Sequence, residues 1–481
     1  MEVARKVAKN TFYNFTALVV GNLSGLFLSI LLARILKPEN FGIYSLALVI
    51  ANLSIALSTL GIDNAVVRYI SFYHGRNDIN ALRSHFKHFL KVKMVVTVIV
   101  ASSLILLSGI LASTFGDERL RIPFFLAGTV VFLASISNLF ASFSRGLQRF
   151  DLVFLRQVTY EFSRWVFVIP LAISFLAVGA VAGVALAYAV SALTLFYFIS
   201  KNYHEFIFGK SSKVSGGVHS YMGFMTIASL SGIVYAHIDS IMIGYLIDST
   251  HVGFYRAAYT VVFAISGFAS SLAGVLLPTF TQLSEREFEA GLGRLNRYVS
   301  IIVFPIAILL SFFADQIVYV LYGRDYSVAG DVMTILAFAL IPSGFVYLGS
   351  TLNAKERADL RAYTVLAGMI MNVILNYILI IRMGIVGAAI ATVISRFFVI
   401  FAVVFALSKL LRMNPKVDAM IKPLLASTLI ALLIPVLPKP GNLFSGILEI
   451  VSLLCLYVVL LVVVKCLGVE DIKYFKKIIR V

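Results

Sequence analysis

The chain has 481 residues, 60% of them hydrophobic and 13% charged, with a mean hydropathy of +0.96. Soluble domains are nearer half apolar and a quarter charged, so this composition excludes an ordinary water-soluble fold and places the protein in lipid. The net charge of +17 does not point to nucleic acid: no water-facing domain is visible to carry a basic stripe, and a polytopic protein collects lysine and arginine on one side of the membrane.

The N-terminal "MEVARKVAKN" is basic and leads into an apolar run too long for a signal-peptide core, so it reads as the approach to a retained first span. Runs long enough to cross the hydrocarbon follow at about 11–33, 42–62, 92–114, 122–144, 158–177, 179–200, 220–246, 252–276, 298–320, 331–352, 362–381, 384–408, 421–437 and 445–466. Fourteen spans are therefore expected. With that assignment, 30 of the 40 Lys and Arg fall on the N-terminal side of the membrane and 8 on the other, while Arg164 and Arg396 lie inside spans. The asymmetry alternates loop by loop and predicts both termini in the cytoplasm. The longest loop, 63–91, is basic, partly helical in pattern, and expected along the anionic inner leaflet. The tail spaces Ile472, Phe475 and Ile479 at helical intervals among lysines and reads as an interfacial amphipathic helix. Cys455 and Cys466, eleven helical residues apart, sit about 16 Å from each other, too far for a disulfide.

The chain also repeats itself. "LARILKPENFGIYSLA" (32–47) matches "IGYLIDSTHVGFYRAA" (243–258) at a constant offset of 211, pairing Ala33/Gly244, Gly42/Gly253, Tyr44/Tyr255 and Ala47/Ala258. Six spans precede the basic linker 201–217 and six follow it, so each copy has an even number of spans. This predicts a parallel duplication about an axis along the membrane normal. A second match pairs Gly179 and Gly183 with Gly384 and Gly387 at the corner between the fifth and sixth spans of each copy. The expected organisation is a six-helix lobe over 1–210, a second over 211–410, and two appended helices with the tail over 411–481. Two such bundles around a midplane cleft are an architecture of alternating access.

Four stretches, "LARILKPENFGIYSLA", "DSIMIGYLIDSTHVGFYRAAY", "LYGRDYSVAGDV" and "NVILNYILIIRMGIVGAAIATVISR", resemble the polysaccharide biosynthesis flippases, the Wzx-type branch of the multidrug/oligosaccharidyl-lipid/polysaccharide exporter superfamily. The resemblance extends over about the whole chain. It implies an all-α, MATE-like fold in the cell membrane. It also implies a lipid-linked oligosaccharide cargo moved from the inner to the outer leaflet. Physical chemistry suits such a cargo, because sugar hydroxyls and phosphates cannot cross hydrocarbon without losing their hydrogen bonds.

Ionisable residues within spans are candidates for the transport pathway. Arg396, near the middle of the twelfth span, could hold a phosphate or acidic sugar, or pair with an acid on another helix. Arg164 lies one turn from Glu161 at i,i+3, the spacing of an internal ion pair. Arg256 and Arg34, at the outer ends of their spans, could serve an outer mouth or simply reach headgroups. Asp239 is the one acid deep in a span and a candidate for coupling to H+ or Na+, the alternative being an interhelical hydrogen bond. His237 is two residues away, about 200° around the helix, so it shares a face with Thr226, Ser229, Ser240 and Gly244 instead. In the first span Asn14 and Asn22 share a stripe with Gly25 and Ser29, either a packing surface or part of the pathway. His85 and His88, one turn apart on the basic loop, could bind metal or form a solvated face. No HExxH, Walker loop or acid–histidine constellation is present, and no cofactor is expected.

These observations favour a flippase whose partners are a lipid-linked glycan, membrane lipids, a coupling cation and glycan-assembly proteins. A MATE-type antiporter of cationic drugs would need acids lining its cavity. A membrane glycan polymerase or glycosyltransferase would need a large outer loop with acids and histidine. A non-transporting scaffold would not explain the duplication.

Overall fold

The structure, a computed structural model, describes residues 2–203, 218–280, 285–355, 357–437 and 443–466. The linker from residue 204 onward and the tail with Ile472, Phe475 and Ile479 lie outside them. Every regular element among the described residues is helical. In chain order they are α1 (Glu2–Thr59), α2 (Ile62–Gly75), α3 (Ile79–Leu106), α4 (Ser108–Thr114), α5 (Arg121–Gly146), α6 (Phe150–Asn202), α7 (Val218–Leu246) and α8 (Ser249–Phe280). Then come α9 (Glu285–Phe312), α10 (Ala314–Tyr322), α11 (Val328–Leu336), α12 (Leu340–Gly344), α13 (Tyr347–Ala354), α14 (Ala358–Phe405), α15 (Ile421–Leu433) and α16 (Leu443–Val463).

Nine stretches among the described residues are long and apolar enough to cross a membrane. Three of them, in α1, α6 and α14, run for 44, 53 and 53 residues and are interrupted by non-helical backbone, so each crosses twice. With α7 and α8, which fall outside those nine, the described helices accommodate the fourteen spans read from the sequence. Two of the three interruptions fall at a proline or a glycine. In α1 the break falls at Lys37 (φ 60°) immediately before Pro38, where the proline ring drives the preceding residue out of the helical region. In α14 it falls at Gly384 (φ 61°, ψ −142°), and in α6 at Phe175 and Leu176, Leu176 having φ 52° and ψ −134°.

The Leu176 and Gly384 conformations are nearly the same, which shifts the repeat expected at these corners. A Cβ on Gly179 would lie 1.9 Å from the Leu171 carbonyl oxygen, and one on Gly387 would lie 2.1 Å from that of Leu379. Both glycines stand three residues after the turn and eight after the carbonyl they face. The structural counterpart of Gly179 is thus Gly387, at an offset of 208, and Leu176 takes the place of Gly384.

The chain forms two compact units. The first comprises Met1–Thr260, Tyr322–Tyr326 and Val365–Ala391; the second comprises Val261–Leu321, Ser327–Thr364 and Thr392–Val481. One core of the first unit joins α2, α3, α5 and α6 through Ile62, Val66, Phe86, Phe89, Phe143 and Leu195, each essentially inaccessible. The basic loop 63–91 packs one face into this core. It folds as α2 and the start of α3, with Asp78 capping α3 by accepting from the Ala81 amide at 2.9 Å. His85 is buried rather than solvated, donating to the Ala81 carbonyl at 2.7 Å and stacked on Tyr69. Lys93 is 1% exposed, and its ammonium reaches Thr59 Oγ1 (3.0 Å) and Asp63 (3.2 Å). A buried lysine without such partners would carry a penalty of several kcal/mol.

The duplicated first corners pack on each other inside this unit. A Cβ on Gly42 would sit 1.8 Å from the Ser249 carbonyl oxygen, and a Cβ on Gly253 would sit 2.2 Å from that of Pro38. Adding 211 to 38 gives 249, and to 42 gives 253, so the contact is reciprocal, as a two-fold axis between copies requires. Glycine is needed at both positions because the backbones touch. The "LYGRDY" segment closes this region. The Tyr322 hydroxyl donates to the Ala257 carbonyl (3.0 Å), the Tyr326 hydroxyl donates to that of Ala33 (2.9 Å), and Lys37 pairs with Asp325 at 2.6 Å.

In the second unit, the appended α15 and α16 pack on α9 through Ile308, Leu309, Phe313, Ile430, Leu453 and Leu461.

Candidate functional site

Among the described residues the first unit holds two buried carboxylates, one from each half of the duplication. Asp239 on α7 is 3% exposed and accepts hydrogen bonds from the Tyr255 hydroxyl of α8 (2.8 Å) and from Asn376 Nδ2 of α14 (2.6 Å). Asn376 also donates to Asn372 Oδ1 at 3.1 Å, and both asparagines are buried. Asn376 Oδ1 is buried with no hydrogen-bond partner among the described residues. The cluster therefore gathers carboxylate, amide and hydroxyl oxygens in an apolar surrounding, the donor set that hard cations and protons use. Sequence reasoning found Asp239 but missed Asn372 and Asn376. Their i,i+4 spacing in an otherwise apolar span was the available signal.

Glu161 on α6 is 5% exposed and has three partners. Ser24 Oγ of α1 donates at 2.7 Å, Gln157 Nε2 at 3.0 Å, and Arg164 Nη1 at 3.0 Å. The only tryptophan, Trp165, extends the network by donating to Ser24 Oγ at 2.9 Å. Gly21 lets the helices approach, since a Cβ there would meet Gln157 Nε2 at 2.7 Å. Arg164 is 15% exposed, its Nε is buried without a partner among the described residues, and its guanidinium lies 5.4 Å from the Tyr160 ring centre. Arg156 lies 5.5 Å from that ring centre and donates to Ser137 Oγ and Asn138 Oδ1. One face of α6 thus carries Arg156, Tyr160 and Arg164 at successive i,i+4 positions.

The remaining candidates are dispersed. In the second unit Arg396 donates to Ser343 Oγ at 3.1 Å and lies 4.1 Å from the Phe263 ring centre. That close approach is a cation–π contact. Arg256 stacks on Tyr259 at 4.8 Å and has a buried Nη1 without a partner among the described residues. His237 is partly buried, with Nδ1 likewise unpartnered. Arg34 is exposed and Asn22 half-buried on α1, while the side chains of Asn14 and Ser229 lie outside the described part.

Beside the first corners, an acid outside the spans adds a tie. Arg119 grips Asp117 with Nε and Nη2, both at 2.9 Å, and also pairs with Glu39, while Ser249 Oγ donates to Asp117 at 2.7 Å. Partial burial of Asp117 works against its ionisation, but the bonds from Arg119 and Ser249 outweigh it and hold the carboxyl below its ordinary pKa.

The chain is similar to several known proteins. An uncharacterized membrane protein of Methanocaldococcus jannaschii is 25% identical over 405 residues, covering 79% of this chain and 80% of that one. A protein of Haloferax volcanii named as a probable low-salt glycan biosynthesis flippase is 29% identical over 190 residues, 38% of this chain and 40% of that one. The lipopolysaccharide biosynthesis protein WzxC of Escherichia coli is 23% identical over 351 residues, 72% of this chain and 69% of that one. Among solved structures, the lipid II flippase MurJ in an inward closed conformation aligns over 98% of this chain and all of its own, with a TM-score of 0.74 at 14% identity. An inward-facing multidrug resistance MATE family transporter aligns over 89% of this chain and 95% of its own, with a TM-score of 0.59 at 16% identity. The fold is therefore that of these transporters. A family model described as "Polysaccharide biosynthesis protein" matches residues 7–284, more than half of the sequence, and the chain belongs to that family of multi-pass membrane proteins.

Proposed function

We propose that the protein is a flippase that carries a lipid-linked oligosaccharide from the inner to the outer leaflet by alternating access, without catalysing a covalent step. The observation that carries this reading is the set of arginines within or at the ends of spans, Arg164, Arg256 and Arg396, each lying against an aromatic ring. Intramembrane cations are costly unless something compensates them, and a cargo phosphate would do so. The relatives named as a glycan flippase and a lipopolysaccharide biosynthesis protein support the same reading. The two six-helix lobes (1–210 and 211–410), the appended region 411–481, and cytoplasmic termini complete the proposal. In this orientation the Gly42/Gly253 contact lies on the outer side and serves as a closed outer gate.

Coupling is assigned to Asp239, whose oxygen-rich cluster suits exchange of H+ or Na+. Arg34, His237, Asn14 and Asn22 remain pathway candidates, and glycan-assembly proteins remain candidate partners.

The test is deletion of the gene followed by analysis of lipid-linked glycans. Intact glycan–lipid trapped on the cytoplasmic face is expected; failure to assemble or polymerise glycan would favour an enzyme. Complementation with Arg396→Ala and Arg396→Lys refines it. The alanine variant should nearly abolish export, and lysine should retain part. Asp239→Asn that exports normally across pH and sodium concentration would confine Asp239 to a structural role.

A further inference from the structure

The second unit contains a cavity of about 400 Å³ where the beginning of α9, the segment before α15 and the end of α16 come together. In the order of spans, these three segments fall on one side of the membrane, the side rich in lysine and arginine. Arg294, Arg297, Lys416, Lys422 and Lys465 line the cavity, against two acids, Glu289 and Asp418. Glu289 is engaged, accepting from the Asn414 backbone amide at 2.9 Å. Arg294, Lys422 and Lys465 are exposed.

The cavity is held open by its backbone. Lys416 and Lys465 both have left-handed backbone, φ 53° and 54°, a conformation costly for residues with a Cβ. For Lys416 the restraint is visible. Buried Asn296 donates to the carbonyls of Pro415 (2.7 Å) and Lys416 (3.1 Å), and its own Oδ1 accepts from the Tyr347 hydroxyl. Gly293 supplies the room, because a Cβ there would stand 3.3 Å from Lys416 Cβ. Lys422 Nζ donates to the Lys465 carbonyl at 3.0 Å, tying the start of α15 to the end of α16. Strained backbone kept in place by buried polar groups is typical of ligand clamps.

We propose that this pocket binds a phosphate group presented at the membrane surface, the headgroup of an anionic lipid being the source its position favours. Basic pockets between transmembrane helices on the cytoplasmic side are suited to such headgroups. Occupancy would fasten the two appended helices to α9. The proposal does not depend on the transported cargo, because it concerns resident lipid and is read without transport.

The test uses the full-length protein in phosphatidylcholine vesicles with or without phosphatidylglycerol, and in phosphatidylcholine with added inorganic phosphate. Association of spin-labelled phosphatidylglycerol relative to spin-labelled phosphatidylcholine is measured, together with the melting temperature. The expected result is preference for phosphatidylglycerol that falls about fivefold for each charge removed in Arg294→Gln and Lys422→Gln. Gly293→Val, which keeps every charge but fills the floor beside Lys416, should weaken it as well. Arg76→Gln with Lys91→Gln, outside the pocket, should not. Protection by inorganic phosphate that Gly293→Val abolishes would support the same phosphate site with a free anion as its ligand. Equal losses in the control pair and the pocket variants, or no response to either ligand, would overturn the proposal.

Discussion

The duplication produced two pairs of glycine corners, and the two pairs do different things. Gly179 and Gly387 each press on a carbonyl of their own hairpin, Leu171 or Leu379. Gly42 and Gly253 each press on the other copy, at Ser249 or Pro38. A contact within one hairpin must form whenever that hairpin forms and cannot be released without unfolding it. A contact between copies can open while each copy stays intact. The same small residue at the same kind of turn therefore reads as architecture in one pair and as a separable gate in the other.

The sharpest test of this difference is alanine at all four glycines. Gly179→Ala and Gly387→Ala put a methyl about 2 Å from a backbone oxygen, where no flexible side chain can yield. Overpacking of this kind costs 1–3 kcal/mol or more. The expected outcome is the largest in the set: loss of monodisperse protein in detergent, or a drop in melting temperature of several degrees. Gly42→Ala and Gly253→Ala should instead leave a folded protein that cannot bring the corners together. Cysteines flanking the corner should then be labelled by an aqueous reagent from outside, and export should fall. If the second pair unfolds as completely as the first, the corner contact is a fixed part of the core.

Much of this was legible in the sequence, and what was not has a physical cause. The break before Pro38 and the one at Gly384 follow from residue types with restricted or permissive backbones. The break at Leu176 does not, because leucine carries no signal for positive φ. This is why a glycine-to-glycine match placed the second corners three to four residues out of register. Glu161 and Arg164 are neighbours on one helix, so their pairing could be read from spacing. Ser24 on α1 reaches Glu161 across 137 residues of chain, and only folding brings it there. The packing of the basic loop was hidden for a related reason: its charges dominate the composition, while Phe86, Phe89 and His85 are the residues that go inside.

A smaller effect should come from acid. Asp117 ties Arg119 to Ser249 beside the inter-copy corner, and its carboxyl is held below the ordinary range by those bonds. A depressed folded-state pKa means the tie contributes fully above the unfolded value, about 3.9, and is lost as pH falls through the folded value. Closure of the Gly42/Gly253 corner, followed by spin-label distances, should thus be constant from neutral pH to about pH 5. It should weaken only below pH 4, where the hairpin corners at Gly179 and Gly387 are unaffected. Asp117→Asn should show the weakened state at neutral pH. Opening that begins near pH 6 would point to a different group.

The smallest effect separates turn strain from packing at the hairpin corners. Leu176 and Gly384 share one backbone conformation, close to the first central position of a type II′ turn, which favours glycine. Holding a leucine there costs about 1–3 kcal/mol, and Leu176 is 49% exposed, so little burial offsets it. Leu176→Gly should remove the strain but add freedom to the unfolded chain, worth about 1 kcal/mol in the opposite direction. The net is a gain of about 0–2 kcal/mol, a rise in melting temperature of a few degrees at most. Gly384→Ala faces open space, so steric crowding is absent and only the positive φ opposes it; a loss of about 1–3 kcal/mol is expected. Opposite signs for these two substitutions would establish that the turn conformation is imposed by the hairpin at both corners. A destabilised Leu176→Gly protein would mean that the leucine side chain, through its remaining contacts or through lipid, is worth more than the strain it brings.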